Sequence, residues 1–161
     1  KLSSEGGHGT ACSIYLPASS AYQPANAVCA ALGTPIPRGS ETILVVDDNS
    51  GVRAVTVNQL AELGYSTIHA GDAAQALEML QHHPEVALLF SDVMMPGGMN
   101  GYELMREAKQ RYPALEVLLT SGYASRSMLN LPAGENLPEI INKPFRMREL
   151  AQKLRRILDN K

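Results

Sequence analysis

The chain is poor in cysteine and has no long apolar segment. Its two cysteines, Cys12 and Cys29, both lie before residue 40, so a disulfide-bonded scaffold is not expected. No apolar run approaches the roughly 18 residues that span a bilayer, and no secretory signal pattern opens the chain. We therefore expect a soluble, cytoplasmic domain without direct membrane contact.

Neither sign of charge is in excess. The 161 residues include 14 Lys and Arg and 16 Asp and Glu, for a net charge of -2. Nucleic-acid binding would need a dense stripe of basic residues, so nucleic acid is not an expected partner. Apolar residues at 45% and charged residues at 19% are ordinary for a globular protein, which argues against a wholly disordered, collagen-like or coiled-coil chain.

The composition of the chain changes near residue 40. Residues 18–39 combine Pro and Gly with Ala and Ser and show no helix or strand period, a pattern typical of a linker. Thr42–Val46 is a β-branched apolar run of the kind found in strands buried on both faces. We predict a compact domain over residues 40–161.

Strand-like and helix-like segments alternate through this domain. The predicted strands are Thr42–Val46, Ser66–Ala70, Val86–Ser91, Glu116–Thr120 and Glu139–Asn142. Such alternation indicates βαβ units around a parallel sheet. We predict an α/β, flavodoxin-like, doubly wound (βα)5 fold with strand order 2-1-3-4-5 and an N-terminal extension.

Apolar residues at helical spacing predict the helices between these strands. The first helix carries a stripe that comprises Val52, Val55, Leu60 and Leu63. The second is expected to begin after Asp72, which can act as its N-cap. Only a short fourth helix is expected within residues 124–137, which contain Pro132 and Gly134.

Polar residues follow several of the predicted strands. Asp47 and Asp48 come after the first strand and Asp92 after the third, while Thr120 ends the fourth and Lys143 follows the fifth. With strand order 2-1-3-4-5 these strands are neighbours, and ligands bind beyond the carboxyl ends of such strands. The five side chains are therefore expected to converge at one edge of the sheet.

Three converging carboxylates repel one another unless a cation is bound or protons are taken up. A hard divalent cation removes this repulsion, and Mg²⁺ characteristically combines one or two carboxylates with water and phosphate oxygens. A carboxylate beside such a metal can act as the nucleophile in phosphoryl transfer. The pattern predicts a Mg²⁺-dependent phosphoryl-transfer site.

Four segments of the chain together resemble the receiver domains of two-component response regulators. They are Val45-Val46-Asp47-Asp48-Asn49, Ser91-Asp92-Val93-Met94-Met95-Pro96, Leu119-Thr120-Ser121-Gly122 and Asn142-Lys143-Pro144-Phe145. The resemblance covers about residues 41–160, with the motifs in family order. One such motif alone is a weak signal, but four at suitable intervals are a strong one.

The resemblance implies roles for six residues. Asp92 is expected to be the phosphoacceptor, and Mg²⁺ to be held by Asp47, Asp48, Asp92 and the backbone carbonyl of Met94. Thr120 and Lys143 are expected to contact the phosphoryl group, and a cis Lys143–Pro144 peptide to aim the lysine inward. The implied donor is a phosphohistidine on a histidine kinase or a histidine phosphotransfer domain; acetyl phosphate is a small-molecule donor.

The chain departs from the family pattern at two places. Three positions before the lysine the family often has Tyr or Phe, whose rotation reports phosphorylation, but this chain has Ile140. The loop Pro96–Gly101 is one glycine longer than the common form. We expect output through protein contact or a phosphorelay, with the downstream partner unidentified.

The first seventeen residues resemble the end of a histidine-kinase ATP-binding domain. Gly7-His8-Gly9-Thr10 is similar to a turn of the ATP lid, and Ser13–Leu16 to the strand that closes that domain. The implied parent is a hybrid histidine kinase, a kind of protein that can be membrane-anchored, and this chain is expected to be a fragment of it without kinase activity. Because the terminal strand would lack its native sheet, packing on the receiver or tail-mediated self-association is expected.

Other interpretations stay open at the level of sequence. Asp47–Ser50 could cap the first helix, alone or in addition to metal binding. A haloacid-dehalogenase-like phosphatase also uses an aspartyl phosphate and Mg²⁺, but its Asp-x-Asp motif is replaced here by adjacent Asp47 and Asp48. A degenerate receiver that acts only as an interaction module is a third alternative, which the intact acidic set disfavours.

Overall fold

The computed structural model divides the chain into two compact units, Lys1–Pro35 and Ile36–Lys161. It describes residues 2–5, 9–12, 35–96, 98–122 and 138–160. In the first unit, strand β1 (Leu2–Glu5) pairs antiparallel with β2 (Gly9–Cys12). The expected kinase strand at Ser13–Leu16, the linker up to residue 34 and Cys29 lie outside the described residues.

The second unit is built from alternating strands and helices. Its elements are β3 (Thr42–Val46), α1 (Ser50–Glu62), β4 (Ser66–Ala70), α2 (Ala73–His82), β5 (Val86–Asp92), α3 (Gly101–Arg111), β6 (Glu116–Ser121), β7 (Glu139–Asn142) and α4 (Met147–Asp159). The five strands are all parallel, in the order β4-β3-β5-β6-β7. Counted within the sheet this is 2-1-3-4-5, so the predicted fold is confirmed. The helix expected within residues 124–137 lies outside the described residues.

Each central strand contributes to two apolar cores because successive side chains point to opposite faces. In β3, Leu44 and Val46 pack in the core that α2 and α3 cover. Ile43 and Val45 pack in the other core, which α1 and α4 cover. All four side chains are at most 1% exposed, which explains the continuous apolar run in the sequence.

The apolar stripe predicted for α1 is wrong at its first two positions. Leu60 and Leu63 are buried, but Val52 is 38% and Val55 is 58% exposed. The buried face of the helix passes through Thr56 and Leu60, four residues apart. Val55 precedes Thr56 and is turned about 100° round the helix axis from that face. Two valines are consequently left in contact with solvent.

The helix caps follow the sequence closely. Asp72 is the N-cap of α2 and accepts a hydrogen bond from the Gln75 amide at 2.8 Å, as predicted. Asn49 caps α1 and accepts from the amides of Gly51 and Val52. Capping of α1 therefore does not use the carboxylates of Asp47 and Asp48. None of the four described helices has the length and apolar character needed to cross a bilayer.

Candidate functional site

The carboxyl ends of β3, β5, β6 and β7 bring the predicted polar residues to one edge of the sheet. Asp47 directly follows β3, and Lys143 directly follows β7. Asp92 is the last residue of β5, one position further than predicted, and pairs in register with Thr120 of β6. The strand extends to Asp92 because the Val93 amide still donates to the Thr120 carbonyl, at 2.9 Å.

Lys143 links two of the three carboxylates. Its Nζ donates to Oδ2 of Asp47 and to Oδ2 of Asp92, at 2.8 Å in each case. The side chains of Lys143, Asp47 and Asp92 are 23%, 7% and 14% exposed, so the three charges are largely screened from water. The Lys143–Pro144 peptide bond is cis, as the resemblance implied.

The ammonium of Lys143 stays charged in this setting. Burial, the largest single influence, lowers the pKa of Lys143, but the hydrogen bonds and charges of Asp47 and Asp92 together outweigh it. The net effect is a raised pKa. The lysine therefore acts as a fixed positive charge between the two carboxylates at neutral pH.

Backbone groups hold both carboxylates in place. Oδ1 of Asp47 accepts from the Asn49 amide at 2.9 Å, which leaves Oδ2 directed to Lys143. Oδ1 of Asp92 accepts from the Met94 amide at 3.3 Å, so the Met94 peptide lies beside the acidic cluster. The side chain of Met94 is 52% exposed.

Asp47, Asp48 and Asp92 form a group that fits a metal ion. One carboxylate oxygen from each lies within 4.8 Å of the others. Asp47 is buried, Asp92 half-buried and Asp48 exposed, so the group opens to solvent on one side. A donor set made only of carboxylate oxygens is the kind that hard cations such as Mg²⁺ prefer over softer metals.

Thr120 is buried beside Asp92. Only 1% of the residue is exposed, and its hydroxyl donates to the Ser91 carbonyl across a long 3.5 Å contact. A hydrogen bond of this length is weak.

Comparison with known proteins identifies the family. Residues 43–155 match the response regulator receiver domain. The chain belongs to this family. It is 35% identical over 123 residues to the sensor kinase CckA of Brucella abortus, covering 75% of this chain and 13% of that protein. It is 31% identical over 116 residues to the response regulator receiver protein CpdR of the same organism, covering 72% of this chain and 95% of that protein.

A solved structure agrees with this assignment. The receiver domain from the hybrid histidine kinase CckA superposes with a TM-score of 0.60 at 29% identity, covering 73% of this chain and 98% of that one. Receiver domains act in two-component signalling, with histidine kinases or phosphotransfer proteins as partners. Family membership excludes the phosphatase alternative, which would need a different motif after the first strand.

Gly101 is a residue of the receiver site that the sequence did not single out. A Cβ at this position would lie 2.0 Å from the Asp92 carbonyl oxygen and 2.8 Å from its carbonyl carbon. Its amide donates to the Val93 carbonyl at 3.0 Å. The start of α3 therefore packs directly on the backbone of Asp92, and only glycine allows this approach. The sequence signal that could have indicated Gly101 is its place directly after Asn100, the N-cap of α3.

Ile140, the departure from the family pattern, lies in β7 opposite Leu119 of β6. It is half-buried and packs against the core that α2 and α3 cover. The chain thus has an aliphatic side chain at the position where the family resemblance led us to expect Tyr or Phe. Gly97, in the loop predicted to be one residue longer, lies outside the described residues.

Proposed function

We propose that this receiver accepts a phosphoryl group on Asp92 in a Mg²⁺-dependent reaction, with phosphohistidine as the physiological donor. The observation that carries the proposal is the position of the Lys143 ammonium, 2.8 Å from both Asp47 and Asp92, beside a group of three carboxylates that fits a divalent cation. Asp47, Asp48, Asp92 and the Met94 carbonyl are the proposed metal ligands.

The proposed reaction is an in-line displacement at phosphorus. A carboxylate oxygen of Asp92 forms a bond to phosphorus while the bond from phosphorus to the histidine nitrogen breaks, and the leaving imidazole keeps the electron pair. Bound Mg²⁺ supplies positive charge that offsets the charge on the phosphoryl oxygens. Lys143 exchanges its contact with the Asp92 carboxylate for one with the phosphoryl group, and the Thr120 hydroxyl donates to that group.

The exposed valines of α1 mark the proposed docking face for the protein donor. Val52 and Val55 line one cavity together with Lys143 and Phe145, so an apolar surface is continuous with the site. A helix that carries the donor histidine could cover the valines while its imidazole approaches Asp92. We propose a histidine kinase or a histidine phosphotransfer protein as this partner, and the cytoplasm, where such kinases use ATP, as the location.

The resemblance of the N-terminal residues to a histidine-kinase domain favours a larger parent protein. We propose that residues 1–17 are the end of a kinase ATP-binding domain, 18–39 a linker and 40–161 the receiver of a hybrid histidine kinase. The similarity to CckA, which this chain matches over 13% of the length of that kinase, supports the proposal. Detection of the native protein with an antibody against the receiver should give a mass well above 17.4 kDa.

Incubation with acetyl phosphate and Mg²⁺, followed by intact mass, tests the phosphoacceptor role. We expect the wild-type chain to gain one phosphoryl group, and neither the Asp92→Asn variant nor a sample with excess EDTA to gain it. Asp72→Asn, which changes a carboxylate at the N-cap of α2, is the matched control and should react as the wild type does. A wild-type chain that gains no mass, or an Asp92→Asn variant that gains it, would overturn the proposal in favour of a degenerate receiver.

A further inference from the structure

Arg53 of α1 contacts the loop that carries two of the acidic residues. Its Nη1 donates to the backbone carbonyl of Asp47 at 2.5 Å. The same atom lies next to Gly71 in the loop after β4, where an added Cβ would be 3.6 Å from it. Among the described residues, Arg53 takes part in no ion pair with a carboxylate.

The accepting carbonyl belongs to the peptide unit that joins Asp47 to Asp48. The orientation of this peptide sets the directions in which both side chains leave the backbone, because it is governed by ψ of the first residue and φ of the second. The amide of Asp47 belongs to the preceding peptide unit and donates to the Ala70 carbonyl at 3.4 Å. This contact is longer and weaker than the one from Arg53. Arg53 thus supplies the shorter of these two backbone contacts of Asp47.

We propose that Arg53 is a positioning residue for the cation, holding the Asp47–Asp48 peptide so that both carboxylates face one ion. The inference rests on the proposed Mg²⁺-dependent function. A guanidinium suits this task because it offers several donors in a rigid plane and stays charged. Partners that orient metal ligands typically change metal affinity by 10–100-fold when they are removed.

A purely electrostatic role for Arg53 predicts the opposite result. Its positive charge lies near the carboxylates and repels a cation, so removal of the charge alone should tighten Mg²⁺ binding. Removal of the contact to the Asp47 carbonyl should weaken it. The sign of the change in Mg²⁺ affinity therefore separates the two roles.

Isothermal titration with MgCl₂ on the full chain provides the test, with Arg53→Met, Arg53→Lys and the wild type compared. We expect Arg53→Met to bind Mg²⁺ about tenfold more weakly than the wild type. Arg53→Lys, which keeps a donor and the charge, should recover part of the loss. Arg106→Met, which removes an exposed arginine of α3, is the matched control and should bind as the wild type does.

Several outcomes would contradict the inference. They are Mg²⁺ binding by Arg53→Met that is as tight as or tighter than in the wild type, no recovery in Arg53→Lys, and no Mg²⁺ binding by the wild type. Thermal melting in EDTA checks that all variants fold. If the wild type binds Mg²⁺ and Arg53→Met weakens it, but acetyl phosphate modifies neither, the phosphoacceptor proposal fails while the role of Arg53 stands.

Discussion

Lys143 determines the charge balance of the site at the scale of single residues. Three carboxylates face its one ammonium, and two of them contact it directly. The remaining negative charge suits a divalent cation, while phosphorylation of Asp92 replaces a carboxylate with one negative charge by an acyl phosphate with up to two, and so adds up to one further negative charge. Cation binding and phosphorylation are therefore expected to favour each other, since each offsets the charge that the other brings.

Gly101 is the residue at which a small substitution should disturb the site most directly. In Gly101→Ala the new methyl group would meet the Asp92 carbonyl, a backbone atom that cannot rotate away. We expect the free energy of unfolding to fall by about 1–3 kcal/mol, as in other overpacked sites, and phosphorylation by acetyl phosphate to slow. Urea unfolding and intact mass measure the two effects.

Gly98→Ala is the matched control for this substitution. Among the described residues no atom lies within 4 Å of a Cβ at Gly98. This variant should unfold and react as the wild type does. Equal behaviour of the two alanine variants would refute the close approach of α3 to Asp92.

At the scale of elements, the last helix is tied to the segment that precedes the sheet. Arg155 of α4 donates to both carboxylate oxygens of Glu41, at 3.1 and 2.7 Å, and to the Arg38 carbonyl at 3.4 Å. Its guanidinium also lies 6.0 Å from the ring centroid of Tyr65. The Glu41 carbonyl in turn accepts from the Ser66 amide at the start of β4. These contacts join α4, β4 and residues 38–41.

The Glu41–Arg155 pair should make stability depend on pH. The hydrogen bond from Arg155 lowers the pKa of Glu41 from 4.5 to about 2. Because the folded-state pKa is depressed, the stabilisation is complete above pH 4.5 and is lost as the pH falls towards 2. Since the pair is partly exposed, we expect Glu41→Gln to lower the free energy of unfolding by only about 1 kcal/mol at neutral pH.

Urea unfolding of Glu41→Gln and wild type from neutral pH to about pH 3 measures this contribution. The difference between the two proteins should shrink as the pH falls below 4.5. Glu62→Gln, which changes an exposed residue of α1, should show no such trend. A difference for Glu41→Gln that stays constant with pH would contradict the role of its ionised form.

At the scale of the whole molecule, the proposed docking face of α1 is the part that should distinguish a protein donor from a small one. Val55→Glu places a charge on this apolar surface at a residue that is 58% exposed. We expect transfer from a histidine kinase that phosphorylates the wild type to slow about tenfold or more, since charge at the centre of an interface is costly. The rate with acetyl phosphate should stay unchanged.

Gln110→Glu introduces the same charge at an exposed position of α3 and serves as the control for Val55→Glu. Radiolabel transfer from the kinase and intact mass with acetyl phosphate are the two measurements. If Val55→Glu slows both reactions equally, the residue affects the site itself, and the proposed docking face is wrong.

The sequence by itself determined the sheet, its strand order and the identity of the five polar residues at its edge. It could do so because parallel strands that are buried on both faces consist of continuous apolar residues, and because ligands bind beyond the carboxyl ends of such strands. The Asp72 cap could be predicted from the sequence as well, since an N-cap side chain accepts a hydrogen bond from an amide no more than three residues away.

Only the tertiary structure decided which contacts form between residues of different segments of the chain. The exposure of Val52 and Val55 depends on which face of α1 packs on the sheet, and the apolar stripe in the sequence does not specify that face. The approach of Gly101 to Asp92, the contact of Arg53 with the Asp47 carbonyl and the bond from Arg155 to Glu41 arise when separate elements pack. The periodicity of apolar residues along the sequence does not specify such distances, because the packing of the whole domain sets them.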